Sequence, residues 1–336
     1  MRKKAGLHPR VRRPLLDISL LVLAGLLVWG AVRSQAAERE ALREFRPELV
    51  VTSEFSTKAD LLQALRRQPE LIFFGGSRAE RFDPAYARRK TGLASFNLAV
   101  RNSHPEGAWA LVNWLYDCRP GARLRWVWGL NPATFGDRDL DPALLQDPRF
   151  SLYFDDALLR SQRRLLPQTV AQMPQNIHLE KRRYARDGLL LWNTYDHYFE
   201  IGGTLDSSLE RYVATAVAKV KNLVPHGDGR SRSRAYFEKT LRLLNDHGTT
   251  PVIVVMPVHP RVLAALRPYG RDRRQRRFLA YLSGLEKRYR LKVVDLTELS
   301  SFGGDPNGFY DGVHITRENS DRVIDALVER AGDALR

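Results

Sequence analysis

Residues 71–80 read LIFFGGSRAE, so four large apolar side chains run directly into two glycines and Ser77. A short, wholly apolar run that ends in glycine predicts a strand buried on both faces, as in a parallel sheet. The glycines allow a sharp turn and a close approach to the backbone. Ligands of open parallel sheets bind beyond the carboxyl ends of the strands, which is where Ser77 would lie. The same residues also fit a serine that simply caps the following helix.

Strand and helix patterns alternate on both sides of this stretch. Apolar strand patterns occur at 70–75, 93–100, 122–130, 250–257 and 291–296, and most are separated by helical patterns. Such alternation implies right-handed crossovers between parallel strands. The sequence therefore predicts an α/β fold with a mainly parallel sheet.

The alternation is interrupted in the middle of the chain. Residues 136–230 contain few strand patterns, several prolines and many arginines, and we expect a partly helical insertion that lies over the sheet. The insertion belongs to one globular domain, predicted over 61–336. Residues 33–60 are charged and Ala-rich in their first half, which predicts a helical or flexible stalk.

The N-terminal residues predict a single transmembrane helix. Residues 1–13 carry six basic residues and no acid, and residues 14–32 are apolar except for Asp17. A 19-residue helix nearly spans a bilayer core of about 30 Å. The positive-inside rule places the basic head in the cytoplasm and the main domain in the periplasm or outside the cell, anchored to a bacterial cytoplasmic membrane. A cleaved signal peptide is the alternative, with Ser34-Gln35-Ala36 as the cleavage motif.

The composition is basic. Lys and Arg number 54 against 38 acids, giving a formal net charge of +16. This charge favours anionic partners such as phospholipid head groups or acidic glycans, although the Arg-rich composition that a GC-rich genome produces gives the same balance. The single cysteine, Cys118, excludes an intrachain disulfide. No spacing of metal ligands and no nucleic-acid motif is present, so no metal, cofactor or nucleic-acid partner is predicted.

Three further residues at predicted strand ends complete a possible catalytic set with Ser77. A nucleophilic serine needs a base, and the base needs an orienting group. Asp311 and His314 lie between the last strand and the last helix, at a spacing that brings a carboxylate to one imidazole nitrogen. Asn131 follows the third strand and can donate to an oxyanion. Taken separately, these residues also fit an Asp-Gly turn and an Asn-Pro turn.

The order of these residues resembles the SGNH (GDSL-like) hydrolase superfamily, over about 70–131 and 232–334. Members of that superfamily carry Ser after the first strand, Gly after the second, Asn after the third and Asp-x-x-His before the last helix. The resemblance implies a three-layer α/β/α sandwich and a serine esterase or acyltransferase. The implied catalytic residues are Ser77, Asp311 and His314, with Asn131 in the oxyanion hole.

Two blocks depart from the pattern of that superfamily. The first reads Gly-Gly-Ser-Arg rather than Gly-Asp-Ser-Leu. The second, FNLAVRNS at 96–103, has no glycine, so the oxyanion donor there is expected to be the backbone N–H of Ala99 or Val100.

With its predicted anchor, the chain is similar to the membrane-anchored branch that decorates envelope polymers. That branch includes the D-alanyl transfer protein of teichoic acids and the acetyltransferase-like proteins of alginate modification. The resemblance implies an acyl-serine intermediate that passes to water or to a glycan hydroxyl. It also implies three partners: the bilayer, an anionic or acylated glycan polymer, and a multispanning membrane acyltransferase. The alternative function is a non-catalytic envelope protein that binds glycan or scaffolds such an acyltransferase.

Aromatic and basic residues of the insertion suggest a glycan-binding surface, because sugar rings stack on aromatics and Arg binds carboxylate or phosphate. The same pattern fits a basic helix with core aromatics behind it. The predicted substrate-binding residues are Arg78, Trp192, Tyr195 and His197.

Overall fold

The computed structural model describes residues 54–136, 139–163, 183–221 and 231–335. The predicted basic head, transmembrane anchor and most of the predicted stalk lie outside these residues. Within the described ranges, no helix is long and apolar enough to span a bilayer.

The strands are β1 (Leu71–Gly75), β2 (Ser95–Asn97), β3 (Arg125–Leu130), β4 (Arg183–Tyr184), β5 (Leu190–Trp192), β6 (Val252–Val255) and β7 (Lys292–Asp295). The α-helices are α1 (Glu54–Gln63), α2 (Pro84–Thr91), α3 (Pro105–Cys118), α4 (Pro142–Gln146), α5 (Pro148–Ser151), α6 (Asp156–Arg163), α7 (Thr194–Glu200), α8 (Leu205–Lys221), α9 (Arg232–Asp246), α10 (Pro260–Leu266), α11 (Arg271–Glu286) and α12 (Arg317–Leu335). Short 3-10 helices occur at Ser77–Ala79, Pro132–Phe135, Arg267–Tyr269 and Leu299–Ser301.

The central sheet has five strands in the order β2-β1-β3-β6-β7, and every neighbouring pair is parallel. The apolar composition of β1 and β6 suits this position, since both strands are buried along their whole length. The prediction of an α/β fold with a mainly parallel sheet is confirmed. The second strand, Ser95–Asn97, is shorter than its predicted 93–100, although the N–H groups of Leu98 and Val100 still donate to the carbonyl oxygens of Phe73 and Gly75 in β1.

Helices cover both faces of the sheet and form two apolar cores. Side chains alternate along β1, so Ile72 and Phe74 pack into one core and Leu71 and Phe73 into the other. Residues of α1, α3, α9 and α11 fill the first core, whereas α2 and α12 contribute to the second. The result is a three-layer α/β/α arrangement in which the sheet is shielded from water.

The described part of the insertion is attached to the edge of the sheet at β2. The hairpin of β4 and β5 docks there, because the Asn97 N–H donates to the Asp187 carbonyl oxygen at 2.8 Å. The fully buried Lys58 of α1 joins the same region: its Nζ donates to the carbonyl oxygens of Asn97 (2.9 Å) and Gly188, and it lies 4.4 Å from the Tyr184 ring centroid. Residues 54–60, which were predicted as the end of the stalk, instead begin α1, and Phe55, Lys58 and Ala59 among them are buried.

Candidate active site

Ser77 lies just beyond the end of β1, after a turn whose first residue, Gly75, has a conformation suited to glycine. Gly75 has φ of 144°, and a Cβ there would lie 2.8 Å from the Gly129 carbonyl oxygen of β3. That conformation and that contact exclude side chains, which explains the first glycine of the opening stretch. Ser77 then begins a 3-10 helix and remains partly exposed.

The loop after Ser77 is held in place by the fully buried Asn97 at the end of β2. Asn97 Nδ2 donates to the carbonyl oxygens of Ala79 and Phe82, both at 2.9 Å. Its Oδ1 accepts the N–H of Ala99 at 2.9 Å. The side chain thus satisfies three backbone groups and fixes the serine loop against the neighbouring strand.

Three predicted catalytic residues form one continuous hydrogen-bonded chain. Ser77 Oγ lies 2.8 Å from His314 Nε2, and His314 Nδ1 lies 2.8 Å from Asp311 Oδ2. Because 237 residues separate Ser77 and His314 in the chain, the fold alone brings them together. Their geometry is that of a nucleophile, a base and an orienting carboxylate.

The electrostatics of Asp311 favour its charged form. Burial alone would raise the pKa of this carboxyl, but hydrogen bonds and the charge of His314, together with the N–H groups of Val313 and His314, lower it to about 2. Both N–H groups donate to Oδ1 at 2.8 Å. An ionised carboxylate can only accept, so the proton of a neutral His314 lies on Nδ1 and leaves Nε2 to accept from Ser77 Oγ–H.

The loop that carries Asp311 and His314 is fixed from two sides. The Tyr310 N–H donates to the His314 carbonyl oxygen at 2.8 Å, which closes the loop on itself. The Gly312 carbonyl oxygen accepts the N–H of His259, the N-cap of α10, at 2.9 Å. The site therefore uses backbone contacts to hold the histidine opposite the serine.

Asn131 stands at the same edge of the sheet as Ser77. Gly75 pairs with Gly129 in the parallel register, and Ser77 and Asn131 each follow two residues later. Asn131 Oδ1 caps the next 3-10 helix by accepting the Ala133 N–H at 2.9 Å. Across the described ranges, the structure gives no hydrogen-bond acceptor for Asn131 Nδ2 or for the Ser77 N–H, so both donors are available to a ligand.

The prediction that the backbone N–H of Ala99 or Val100 donates to an oxyanion is wrong. The N–H of Ala99 donates to Asn97 Oδ1, and that of Val100 donates to the Gly75 carbonyl oxygen at 3.0 Å, so neither is available to an oxyanion. In the same block, Asn102 has φ of +55°, the single positive value at a non-glycine residue in the described part of the chain. Asn tolerates this left-handed conformation better than most residues.

The predicted substrate-binding residues divide into two groups. Tyr195 of α7 reaches the site, with its ring centroid 4.8 Å from that of His314. Trp192 and His197 instead lie near Glu200: Trp192 Nε1 donates to its carboxylate at 2.9 Å, and His197 Nδ1 is 3.9 Å from it. No contact of these two residues with Ser77 or His314 is found among the described residues. Arg78, next to the nucleophile, is half-buried.

A polar cluster of Arg81, Asp196 and Tyr310, which was not predicted from the sequence, connects the insertion to the site. Arg81, on the serine loop, forms an ion pair with Asp196 of α7 and donates to the carbonyl oxygens of Leu190 (3.0 Å) and Leu191 (3.1 Å). Asp196 also accepts the Tyr310 hydroxyl at 3.0 Å. Burial, the largest effect, raises the pKa of Tyr310 to about 12, so this hydroxyl stays a donor.

The site is open to solvent at one side. Ser77 and His314 are both partly exposed. Two surface cavities, of about 530 and 320 Å³, are lined by other parts of the molecule and include none of the catalytic residues. The partial exposure of Ser77 allows a substrate carbonyl carbon to reach its hydroxyl.

Comparisons with known proteins identify no family for this chain. No protein-family model matches the chain. No curated protein matches it either. Among solved structures it is similar to a Bacteroides fragilis protein described as a "putative acylhydrolase", at 10% identity and a TM-score of 0.38, over 84% of this chain and 95% of that chain. So distant a likeness carries no argument about fold or chemistry, which rest on the strands and side chains described above.

Proposed function

We propose that the protein is a serine-dependent acyl-transfer enzyme, an esterase or an O-acyltransferase, that works through an acyl-serine. One observation carries the proposal: two 2.8 Å contacts join Ser77, His314 and Asp311 in a line at the carboxyl end of the sheet. A serine that only capped a helix would not need a histidine at its hydroxyl, nor a buried carboxylate behind that histidine.

In the first half of the reaction, Ser77 Oγ bonds to the carbonyl carbon of an ester while His314 Nε2 takes the hydroxyl proton. The carbonyl π electrons move to the oxygen, where Asn131 Nδ2 and the Ser77 N–H are the unused donors. The tetrahedral species collapses, the C–O bond to the alcohol breaks, and His314 returns the proton to the leaving oxygen.

In the second half, water or another hydroxyl gives its proton to His314 Nε2 and attacks the acyl-serine carbon. The Ser77 ester bond breaks, and the serine recovers the proton. Throughout, Asp311 accepts from Nδ1–H and keeps Nε2 facing the serine. Tyr195 forms one wall of the cleft beside the imidazole.

The substrate and the place of action are further parts of the proposal. The apolar run at 14–32 supports attachment to a membrane, and a net charge of +16 supports an anionic or acylated glycan polymer as the acceptor. An open cleft suits a polymer better than an enclosed chamber does. A multispanning membrane acyltransferase as donor follows from the family resemblance.

Turnover of 4-nitrophenyl acetate by the full-length protein tests this function. Ser77→Ala and His314→Ala are expected to lower the rate at least about 1,000-fold. Ser300→Ala leaves it unchanged, because this exposed serine lines a surface cavity that includes none of Ser77, Asp311 and His314. Adding a soluble acidic glycan and separating glycan-bound acetyl from free acetate distinguishes transfer from hydrolysis. Equal rates in all four proteins would favour a non-catalytic glycan-binding or scaffold protein, for which the engaged N–H of Ala99 is the supporting observation.

A further inference from the structure

Arg78 holds a guanidinium directly beside the nucleophile. It is the middle residue of the 3-10 helix Ser77–Ala79 and is half-buried. Within the ranges that the structure describes, Arg78 has no hydrogen bond, ion pair or ring contact. A half-buried guanidinium without a partner among the described residues has its donors available to an anion.

Other arginines near the serine loop have their charge compensated within the protein. Arg81 pairs with Asp196, and both side chains are mostly buried. Arg317 of α12 pairs with the buried Asp83, the N-cap of α2. Arg78 differs from both, although it is the arginine closest in sequence to the reacting hydroxyl.

Tyr212 of α8 provides a second polar group on the same side of the cleft. A Cβ on Gly312 would overlap its ring, so the ring packs directly on the loop between Asp311 and His314. Burial is the main cause of a raised pKa of Tyr212, with the charge of Arg78 lowering it and that of Asp311 raising it. The phenol therefore lies within electrostatic reach of both groups and remains protonated at neutral pH, as a donor.

Asp311, the other charge that acts on Tyr212, is already engaged. It uses Oδ1 for the N–H groups of Val313 and His314 and Oδ2 for the His314 ring. In the described residues, the guanidinium of Arg78 therefore keeps its planar set of donors for a ligand.

We propose that Arg78, flanked by Tyr212, is an anion subsite that binds a carboxylate or phosphate carried by the ester substrate. The inference deepens the proposed function and rests on it: the enzyme selects acidic esters, such as an acylated uronate or an acylated phosphate-bearing glycan, over neutral ones. A guanidinium binds either anion through two parallel N–H bonds, and the phenol adds a third donor.

Binding to a catalytically inactive protein tests the subsite without relying on turnover. In the full-length Ser77→Ala protein, affinities are measured by titration calorimetry for 4-acetoxybenzoate, 4-acetoxyphenyl phosphate and the neutral methyl 4-acetoxybenzoate. Adding Arg78→Gln is expected to weaken binding of the anionic ligands about tenfold or more, and that of the neutral ester less than twofold. The more strongly affected anion identifies carboxylate or phosphate as the natural group.

Three further variants define the outcome. Arg78→Lys keeps the positive charge but loses the two parallel N–H donors of the guanidinium, so it should retain only part of the preference for anionic over neutral ligands. Tyr212→Phe weakens anion binding less than Arg78→Gln does. Arg89→Gln, at an exposed arginine of α2, changes nothing. The inference is overturned if Arg78→Gln leaves the anion preference intact, or weakens neutral and anionic ligands equally. Failure of the proposed function would appear in a separate measurement: the wild-type protein would form no acyl adduct on Ser77, whichever ligands the Ser77→Ala protein prefers.

Discussion

Replacing Asp311 by asparagine is expected to abolish activity by reversing the tautomer of His314. Oδ1 of Asp311 accepts two backbone N–H groups, so the amide oxygen of asparagine takes that place and the amide NH₂ turns to His314. An NH₂ group facing Nδ1 forces the ring proton onto Nε2, which then cannot accept the proton of Ser77. In Ser-His-Asp enzymes this change lowers kcat by about 10⁴.

The same substitution has a stability effect that follows from the lowered pKa. Each pKa unit corresponds to about 1.4 kcal/mol, so a fall from the ordinary 3.8 to about 2 corresponds to about 2 kcal/mol. The folded pKa lies below the unfolded one, so this stabilisation is complete above about pH 5 and is lost as the pH falls from 4 toward 2. Asparagine does not titrate and lacks this pH-dependent contribution.

Two measurements on wild type and Asp311→Asn check this prediction. Ester turnover at pH 7 gives the kinetic effect, and urea unfolding at several pH values from 7 to 2.5 gives the stability effect. We expect the gap in free energy of unfolding between the two proteins to shrink by about 2 kcal/mol across that range. A variant that keeps a tenth of the activity, or a gap that does not change with pH, would refute the assigned roles of this carboxylate.

Three other substitutions test the scaffold around the triad. Gly75→Ala places a Cβ at a positive φ and 2.8 Å from a carbonyl oxygen of β3. Gly121→Ala is the matched control, because Gly121 also has a positive φ, 82°, but no atom lies within 4 Å of the added Cβ. In urea unfolding, Gly75→Ala should lower the free energy of unfolding by at least about 2 kcal/mol more than Gly121→Ala does. Asn97→Ala leaves three buried backbone groups without their hydrogen-bond partner and should lower the free energy of unfolding by about 2–4 kcal/mol. A loss under about 1 kcal/mol would contradict this expectation. Asp196→Ala breaks the ion pair that joins α7 to the serine loop, so hydrogen exchange over 190–200 should quicken and kcat/KM fall about tenfold, and unchanged exchange there would show that the pair does not fix the insertion.

The sequence was sufficient to predict the parallel sheet and the proximity of Ser77, Asp311 and His314. Continuous apolar runs mark strands buried on both faces, and the carboxyl ends of parallel strands meet at one edge. Ser77 and His314 could therefore be paired across the chain before any coordinates were known, and their side chains do lie 2.8 Å apart. Asn131 was placed beside Ser77 by the same reasoning, and the register of β1 and β3 brings the two positions to neighbouring strand ends.

Other features depend on contacts that no local pattern encodes. Ala99 was chosen for its position after the second strand, but the Asn97 side chain takes its N–H, and a side-chain to backbone contact of that kind leaves no periodicity. The pairing of Arg81 with Asp196 joins residues 115 apart, with the insertion between. Lys58 lies within the residues predicted as a stalk, and lysine is normally exposed, whereas here two carbonyl oxygens and an aromatic ring allow its burial.

The most direct test of the central claim is covalent labelling of Ser77. The full-length protein is treated with a fluorophosphonate, digested, and the modified peptide is identified by mass spectrometry. We predict one labelled serine, Ser77, with labelling lost in Ser77→Ala and at least about 100-fold slower in His314→Ala, because the imidazole activates the hydroxyl. Labelling at another serine, or an unreactive Ser77 in the folded protein, would contradict the account.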